Sequence, residues 1–237
     1  MRYHASMRPK AQPARGEEGH QARLRIAELS QLQLARRLHD GPIQSVAALA
    51  MRAHLANRQL ASDPVGAAKE VQELEALARR TTQDLRYLQF TLTPQSLETA
   101  GLSAALQDLV RHLGDLHSPK VQLTLDAEAA SALSADQARQ LFHIAAESLE
   151  NALKHAHADG VHLKLSRPET AVLLFEVEDN GVGFDALLIE RSGEADHKYG
   201  LAILRQRVKL LRAELHLSSA AGSGTLMRVA VPLGSAR

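Results

Sequence analysis

His39 and Asp40 are adjacent in the chain, and Gln44 follows Asp40 by four residues. A neutral imidazole nitrogen is a competent nucleophile, and a neighbouring carboxylate can take up the other ring proton and fix the tautomer. On a helix, Asp40 and Gln44 stack on one face, where an amide can orient a water. A solvated His-Asp pair on a helix surface has the same appearance. The intervening Gly41-Pro42 weighs toward chemistry, because proline inside a helix removes a hydrogen bond at a cost of about 3 kcal/mol. Such a cost points to a local bend kept for a purpose.

Three further clusters carry reactive or ligand-binding residue types. Glu147, Asn151, Lys154 and His155 fall at i, i+4, i+7 and i+8, which puts them on one helical stripe. An acid, an amide and a base so arranged can hold a hydrated divalent metal together with phosphates; a solvated face with i,i+4 pairing reads the same way. Asp179-Asn180-Gly181-Val182-Gly183 closes an apolar run. An aspartate buried at a strand end can accept from an exocyclic amine, and the glycines Gly181 and Gly183 would let a ring approach the backbone. Asp-Asn-Gly is also an ordinary strand-ending turn. Tyr199-Gly200-Leu201 reads as the opening of a helix, whose free N–H groups suit phosphate, and Gly222-Ser223-Gly224-Thr225 precedes the last apolar run.

These residues need elements to position them. Residues 1–20, with Pro9, Pro13, Gly16 and Gly19, show no periodicity and read as a flexible tail. A helical stretch runs from about Arg23 to Arg58, and Asp63-Pro64 supplies a cap and a first-turn proline for a second helix. Val71, Leu74, Ala78, Thr81, Leu85, Leu88 and Leu92 recur at alternating steps of three and four, the seam of a helical hairpin or bundle. Pro94 ends it. A mixed pattern follows: a helix over 101–117, a strand over 121–126 and a helix from the Ser134 cap to about Ala156. Strands are expected over 161–166 and 171–178, a helix over 201–212, and a closing hairpin over 214–231. The predicted fold class is α+β: a helical hairpin that pairs into a dimeric four-helix bundle, then an α/β sandwich. The expected division is a tail at 1–21, a helical domain at 22–95 and an α/β domain at 96–237.

Composition removes several function classes. Among 237 residues there is no cysteine, which excludes disulfides, thiolate zinc sites and thiol catalysis. Lys and Arg number 28 against 27 Asp and Glu, and aromatics make up 3%, a poor match for a dedicated nucleic-acid binder. The longest apolar run, Val46 to Met51, is far short of the ~18 residues needed to span a bilayer. The expected location is cytoplasmic, with membrane attachment only as part of a longer chain.

Taken together and in order, these residues resemble the histidine kinases of two-component systems, most closely the nitrate/nitrite-sensor class with its HDxxxQ motif. His39, Asp40 and Gln44 match that motif. Glu147, Asn151, Lys154 and His155 are similar to the N box, Asp179 to Gly183 to the first glycine box, Tyr199-Gly200-Leu201 to the second, and Thr225 to the Gly-Thr element before the last strand. The resemblance covers about residues 22–235, and the second glycine box holds one glycine where many relatives hold more. It implies a homodimer and a Bergerat-type ATP-binding domain using ATP and Mg²⁺. His39 would be phosphorylated with the help of Asp40, and a response regulator with a receiver domain would be the partner. Asp179 would read the adenine amine, with Gly181, Gly183 and Thr225 at the same corner. Asn151 and Glu147 would hold the metal, Lys154 and His155 would contact phosphate or ribose, and residues 184–199 would form a lid. Gln44 would orient the water that hydrolyses the partner's phospho-aspartate. The rival readings are a signalling scaffold with an inactive ATP-binding domain, an ATPase of another kind with this fold, and a structural coiled-coil dimer that binds no nucleotide.

Overall fold

The computed structural model describes residues 15–114, 120–184 and 195–233. Helix α1 (Arg15–Leu38) passes into a five-residue π-helical turn (His39–Ile43) and then into α2 (Gln44–Gln59). The expected bend is therefore a widened turn. Pro42 lacks an N–H, and its ring would collide with the Leu38 carbonyl in α-helical winding; the wider turn relieves the collision and leaves Pro42 buried. The helix begins at Arg15, ahead of the expected Arg23, because α1 packs along a helix from the far end of the chain, α7 (Ala195–Leu211).

Helix α3 (Pro64–Leu92) opens where the cap predicts: Asp63 Oδ1 accepts from the Gly66 N–H at 2.9 Å, with Pro64 in the first turn. It lies against α2, and the Arg52–Glu70 ion pair at 2.8 Å crosses between them. Within one chain this hairpin covers only part of the expected seam. Thr81 is buried and Leu74, Ala78 and Leu88 are half-buried, whereas Val71, Leu85 and Leu92 are exposed, as are Val46, Met51 and Leu55 of α2.

Helix α4 (Gln95–Gly114) is broken by Gly101, at φ 82° and ψ −177°, so the helix expected from Gly101 is the second limb of a kinked one. Then come β1 (Lys120–Leu125), α5 (Ala127–Ser131), α6 (Ala135–His155), β2 (Gly160–Glu169), β3 (Val172–Asp179), α7, β4 (Glu214–Ser219) and β5 (Thr225–Pro232). The short α5 was not anticipated; Asp126 caps it by accepting from the Ala129 N–H at 3.0 Å. The start of α6 is set by a capping box in which Ser134 and Gln137 each accept from the other's backbone N–H.

The five strands form one sheet in the order β1-β2-β3-β5-β4, with β1 and β2 parallel and the other pairs antiparallel. Alternation divides its faces. Leu163, Leu165, Phe175, Val177, Val229 and Val231 turn inward onto Leu106 and Leu109 of α4, Phe142 and Leu149 of α6, and Leu204 and Val208 of α7. On the opposite face Glu176 pairs with Lys164 at 3.8 Å and with Arg228 at 2.6 Å, across three adjacent strands. This is the predicted α+β class: helices first, then a two-layer α/β unit. Among the described residues no helix is long and apolar enough to cross a membrane.

The kink at Gly101 isolates a backbone effect from packing. A Cβ there would meet nothing within 4 Å, yet its backbone conformation is one that only glycine adopts easily. Gly101→Ala is expected to lower stability by about 1–3 kcal/mol, the range for strained backbone, measured by urea unfolding. An unchanged midpoint would show that the kink tolerates a side chain.

Candidate nucleotide-binding site

The site lies where α6 crosses the ends of β3 and β5. Along β3 the inward residues Leu173, Phe175 and Val177 continue into Asp179, which is buried although charged. Its Oδ1 accepts from the Gly181 N–H at 2.9 Å. The next residue, Asn180, uses its Oδ1 to accept from the N–H groups of Asp159 and Gly160, each at 3.0 Å, bracing the turn before β2. Gly181 then presses on the end of α6: a Cβ there would stand 2.1 Å from the Ala156 carbonyl oxygen, and the Val182 N–H donates to that oxygen at 2.7 Å. Gly183, at φ 60°, packs as tightly on the carbonyls of Ala220 and Gly224. Turn and site are thus one object, and the glycines are required by backbone crowding as well as by any ligand.

A cavity of about 250 Å³ opens beside this loop, lined by Asn151, His155, Asp179, Gly183, Leu201 and Thr225 among the residues singled out from sequence. Its walls also include Phe184, the first residue of the expected lid, and Val177, Leu204, Leu217 and Met227, which sequence reasoning passed over because apolar residues at core periodicity look alike wherever they face. Thr225 stands directly across from Asp179 in the sheet register, and its Oγ1 is 3.2 Å from Ser219 Oγ. A largely apolar slot with one buried carboxylate at its end suits a flat, amine-bearing ring.

The remaining predicted residues are placed differently. Lys154 does not line the cavity; its Nζ donates to Glu150 Oε1. Gly200 and Leu201 lie inside α7, which begins at Ala195, so they do not open the helix and their N–H groups are in position for intrahelical bonds. What Gly200 provides is the lack of a side chain, since a Cβ would lie 2.2 Å from Glu147 Oε1 and 3.8 Å from Asn151 Nδ2. The side chain of Tyr199 and residues 185–194 of the expected lid lie outside the described residues. His39, Asp40 and Gln44 are exposed and absent from the cavity wall; His39 Nδ1 and Asp40 Oδ1 are 2.8 Å apart.

Glu147 turns from the cavity into a second cleft, between the α/β unit and the helices α1 and α3. There Gln33 Nε2 donates to both its oxygens at 3.0 Å, and Arg37 donates to Oε2 at 2.9 Å. Burial, then the charges of Arg207 and Arg139, pushes the His143 imidazole down to about 3, so it is neutral at physiological pH. Burial also lowers Arg207 to about 10, against the favourable charge of Glu147. Gln33 and Arg37 escaped notice because a polar residue on a helix announces no partner more than a hundred residues away.

Comparison with known proteins decides the class. Residues 31–97 match the family described as "Histidine kinase", and residues 136–235 match "Histidine kinase-, DNA gyrase B-, and HSP90-like ATPase". The chain belongs to the histidine kinases. An uncharacterized sensor-like histidine kinase of Chloroflexus aurantiacus is 34% identical over 86% of this chain and 34% of its own length. The signal transduction histidine-protein kinase/phosphatase DegS of Bacillus subtilis is 30% identical over 89% of this chain and 55% of its own. Among solved structures, the blue-light activated histidine kinase of Erythrobacter litoralis aligns with a TM-score of 0.50 and 25% identity, covering 79% of this chain and 59% of that one. The chain therefore spans about a third to a half of the length of these curated relatives.

Gly181 tests the construction of this cavity. Gly181→Ala should lift the loop off Ala156 and displace the Asp179 carboxylate, lowering affinity for a fluorescent ATP analogue by ~10-fold or more, as for loss of a buried hydrogen bond. Gly160→Ala, whose new Cβ would meet only the Lys120 carbonyl oxygen at 3.8 Å, should bind normally.

Proposed function

We propose that this chain is the catalytic core of an ATP-dependent protein-histidine kinase: His39 takes the γ-phosphoryl group of ATP and passes it to a receiver-domain aspartate of a response regulator. The observation that carries this reading is the 2.8 Å contact between His39 Nδ1 and Asp40 Oδ1, on an exposed helical turn, in the chain that also buries Asp179 in a nucleotide-sized slot. With its Nδ1–H donated to Asp40, His39 keeps the Nε2 lone pair free. As the Nε2–phosphorus bond forms and the bond to the bridging oxygen of ADP breaks, Asp40 takes the Nδ1 proton. ADP leaves, and the phosphorylated ring is neutral. Transfer of this kind is mostly positioning and charge neutralisation, so no strong base is required.

In the cavity, Asp179 would accept from the adenine amine, with Gly183 and Thr225 beside the ring; Gly181 acts from beneath by holding Asp179. Among the described residues no cluster of three or more His, Asp or Glu could hold a metal by itself. The residues present fit Mg²⁺ carried in with the nucleotide, an ion that usually keeps waters and takes one or two protein ligands beside phosphates. Asn151 would be the principal ligand, with Glu147 assisting from the same stripe, and the ion would supply neutralisation of phosphate charge. His155 lines the same wall, in reach of phosphate or ribose. Lys154 would reach phosphate only after leaving Glu150, and Tyr199, Gly200 and Leu201 would bound the phosphate end.

The proposed division is a helical domain over residues 22–95, with the preceding tail, and an ATP-binding domain over 96–237. The exposed apolar residues of α2 and α3, Val46, Met51, Leu55, Val71, Leu85 and Leu92, support pairing of two hairpins into a four-helix homodimer. A cytoplasmic location goes with this reading.

Incubation with labelled ATP-Mg²⁺ tests it. The wild-type protein should take up an acid-labile, base-stable phosphoryl group; His39→Gln should bind ATP and take up none, while Asp179→Ala should lose ATP binding. Label on His112, His155 or a serine would overturn the assignment of His39.

Gln44 gives a separate test. It is exposed and four residues beyond Asp40; the π turn between them is wider than an α turn, so four residues fall just short of a full circle and the two remain near one face. An amide there can hold a water in line with a docked phospho-aspartate. Gln44→Ala should keep labelling of His39 and transfer, but slow dephosphorylation of the partner by roughly 10²-fold, as for loss of one positioning group. Equal decay of the phosphorylated regulator with either protein would remove this role.

A further inference from the structure

The α/β unit is tied to α1 through one polar node. Arg37 donates to Glu147 at 2.9 Å and to Glu150 at 2.8 Å, and Gln33, one turn earlier, donates to both oxygens of Glu147. The node is largely out of water: the Glu147 and Glu150 side chains are 11% and 8% exposed and that of Arg37 22%. It occupies Glu147, the carboxylate that the kinase reading needs on the Asn151 side, with three hydrogen bonds from two nitrogens. It also fixes an orientation. Residues two apart on a helix are separated by about 200°, so with Arg37 facing the α/β unit, His39 faces away from it. The His39 side chain is 69% exposed, and no residue of α1 or the π turn lines the nucleotide cavity. Beside the node Tyr87 of α3 is buried, its hydroxyl without a hydrogen-bond partner.

We propose that Gln33 and Arg37 are positioning residues that lock the ATP-binding unit onto α1 through Glu147 and Glu150, with His39 turned outward, so that release of this lock admits His39 to a nucleotide. The proposal rests on the kinase reading. It holds whether the nucleotide comes from the same chain or a second copy, since either pocket must leave α1 to approach His39. Release also returns the Glu147 carboxylate to the face it shares with Asn151.

The test uses the full chain and its lack of cysteine. Ile203 of α7 is 3% exposed and lines the cleft with Ser30 and Gln33, so an Ile203→Cys thiol reports whether α1 is docked. Adding Arg37→Met, which keeps the stem and removes the charge, should speed maleimide labelling of that thiol by ~10-fold. It should raise the initial rate of His39 phosphorylation by about 5–10-fold, a moderate coupling between sites. Affinity for a fluorescent ATP analogue should change less than about twofold, since the cavity itself is untouched. If Arg37→Met alone fails to fold because Glu150 is left buried and unpaired, Arg37→Met with Glu150→Gln removes both charges and should behave alike. Unchanged thiol labelling would overturn the lock. Faster thiol labelling with slower phosphorylation would overturn its inhibitory sense and make the node a productive dock. Absence of label on His39 in wild type and variants alike would fell the kinase reading alone, and the thiol rates would still decide whether the tie exists.

Discussion

The cavity beside the Asp179 turn depends on the inward face of β3 ending in a carboxylate. Leu173, Phe175 and Val177 face the core, and the period of two carries Asp179 onto the same side. The packing that excludes water from the sheet therefore also aims the slot's buried carboxylate. A slip of one residue in register would turn Asp179 to the outer face, among Lys164, Glu176 and Arg228, and expose three core residues. Burying a carboxylate is unfavourable unless it is hydrogen-bonded. The Gly181 N–H meets that need, and it can do so only because the loop lies flat against Ala156, where no side chain fits. Core, turn and site here are a single packing problem.

Helix α6 carries the second half of the problem. Its apolar face, with Leu141, Phe142, Ala145 and Leu149, is fully buried against the sheet and α4. That burial leaves little freedom in rotation, so the stripe bearing Asn151 and His155 is held over the cavity as a consequence. The capping box at Ser134 sets where the helix begins, and so the height at which each turn crosses the strands. Glu147 lies one turn before Asn151 and looks into a different space, because Gly200 of α7 allows its carboxylate to pass toward α1.

What could be read from the sequence was what local chemistry decides. The Asp63-Pro64 cap, the Ser134 cap, the Asp-Asn-Gly turn after β3 and the break at Gly41-Pro42 each express a constraint satisfied within five or six residues, and each lies where expected. What could not be read was tertiary. The start of α1 at Arg15 and not Arg23 reflects packing on α7, some 180 residues away. Lys154 looks the same in sequence whether it meets phosphate or Glu150, and here the i,i+4 carboxylate is its partner. The hairpin seam was legible as a period, but Val71, Leu85 and Leu92 lie on a side that this chain alone leaves uncovered. Tyr199-Gly200-Leu201 was misplaced at a helix opening because four residues of α7 precede it without a cap signal.

In the proposed kinase, the separation of His39 from the cavity follows from what a phosphorylatable histidine must do. Such a residue meets two different surfaces in turn, the nucleotide and then the acceptor aspartate of another protein. A nucleophile buried beside the γ-phosphate would satisfy the first encounter and forbid the second. Exposure on a helical turn, with only Asp40 fixing the ring, leaves both open. The penalty is that the nucleotide must be brought to it by movement of a whole unit, and a movable unit needs a defined resting position. An apolar contact would hold that position but is nearly indifferent to rotation and sliding. A charged, largely buried node between Arg37, Glu147 and Glu150 is directional, and it is strongly destabilised by losing any one partner. It therefore gives one geometry, in which the α/β unit is docked two residues before His39 and on the other side of the same helix.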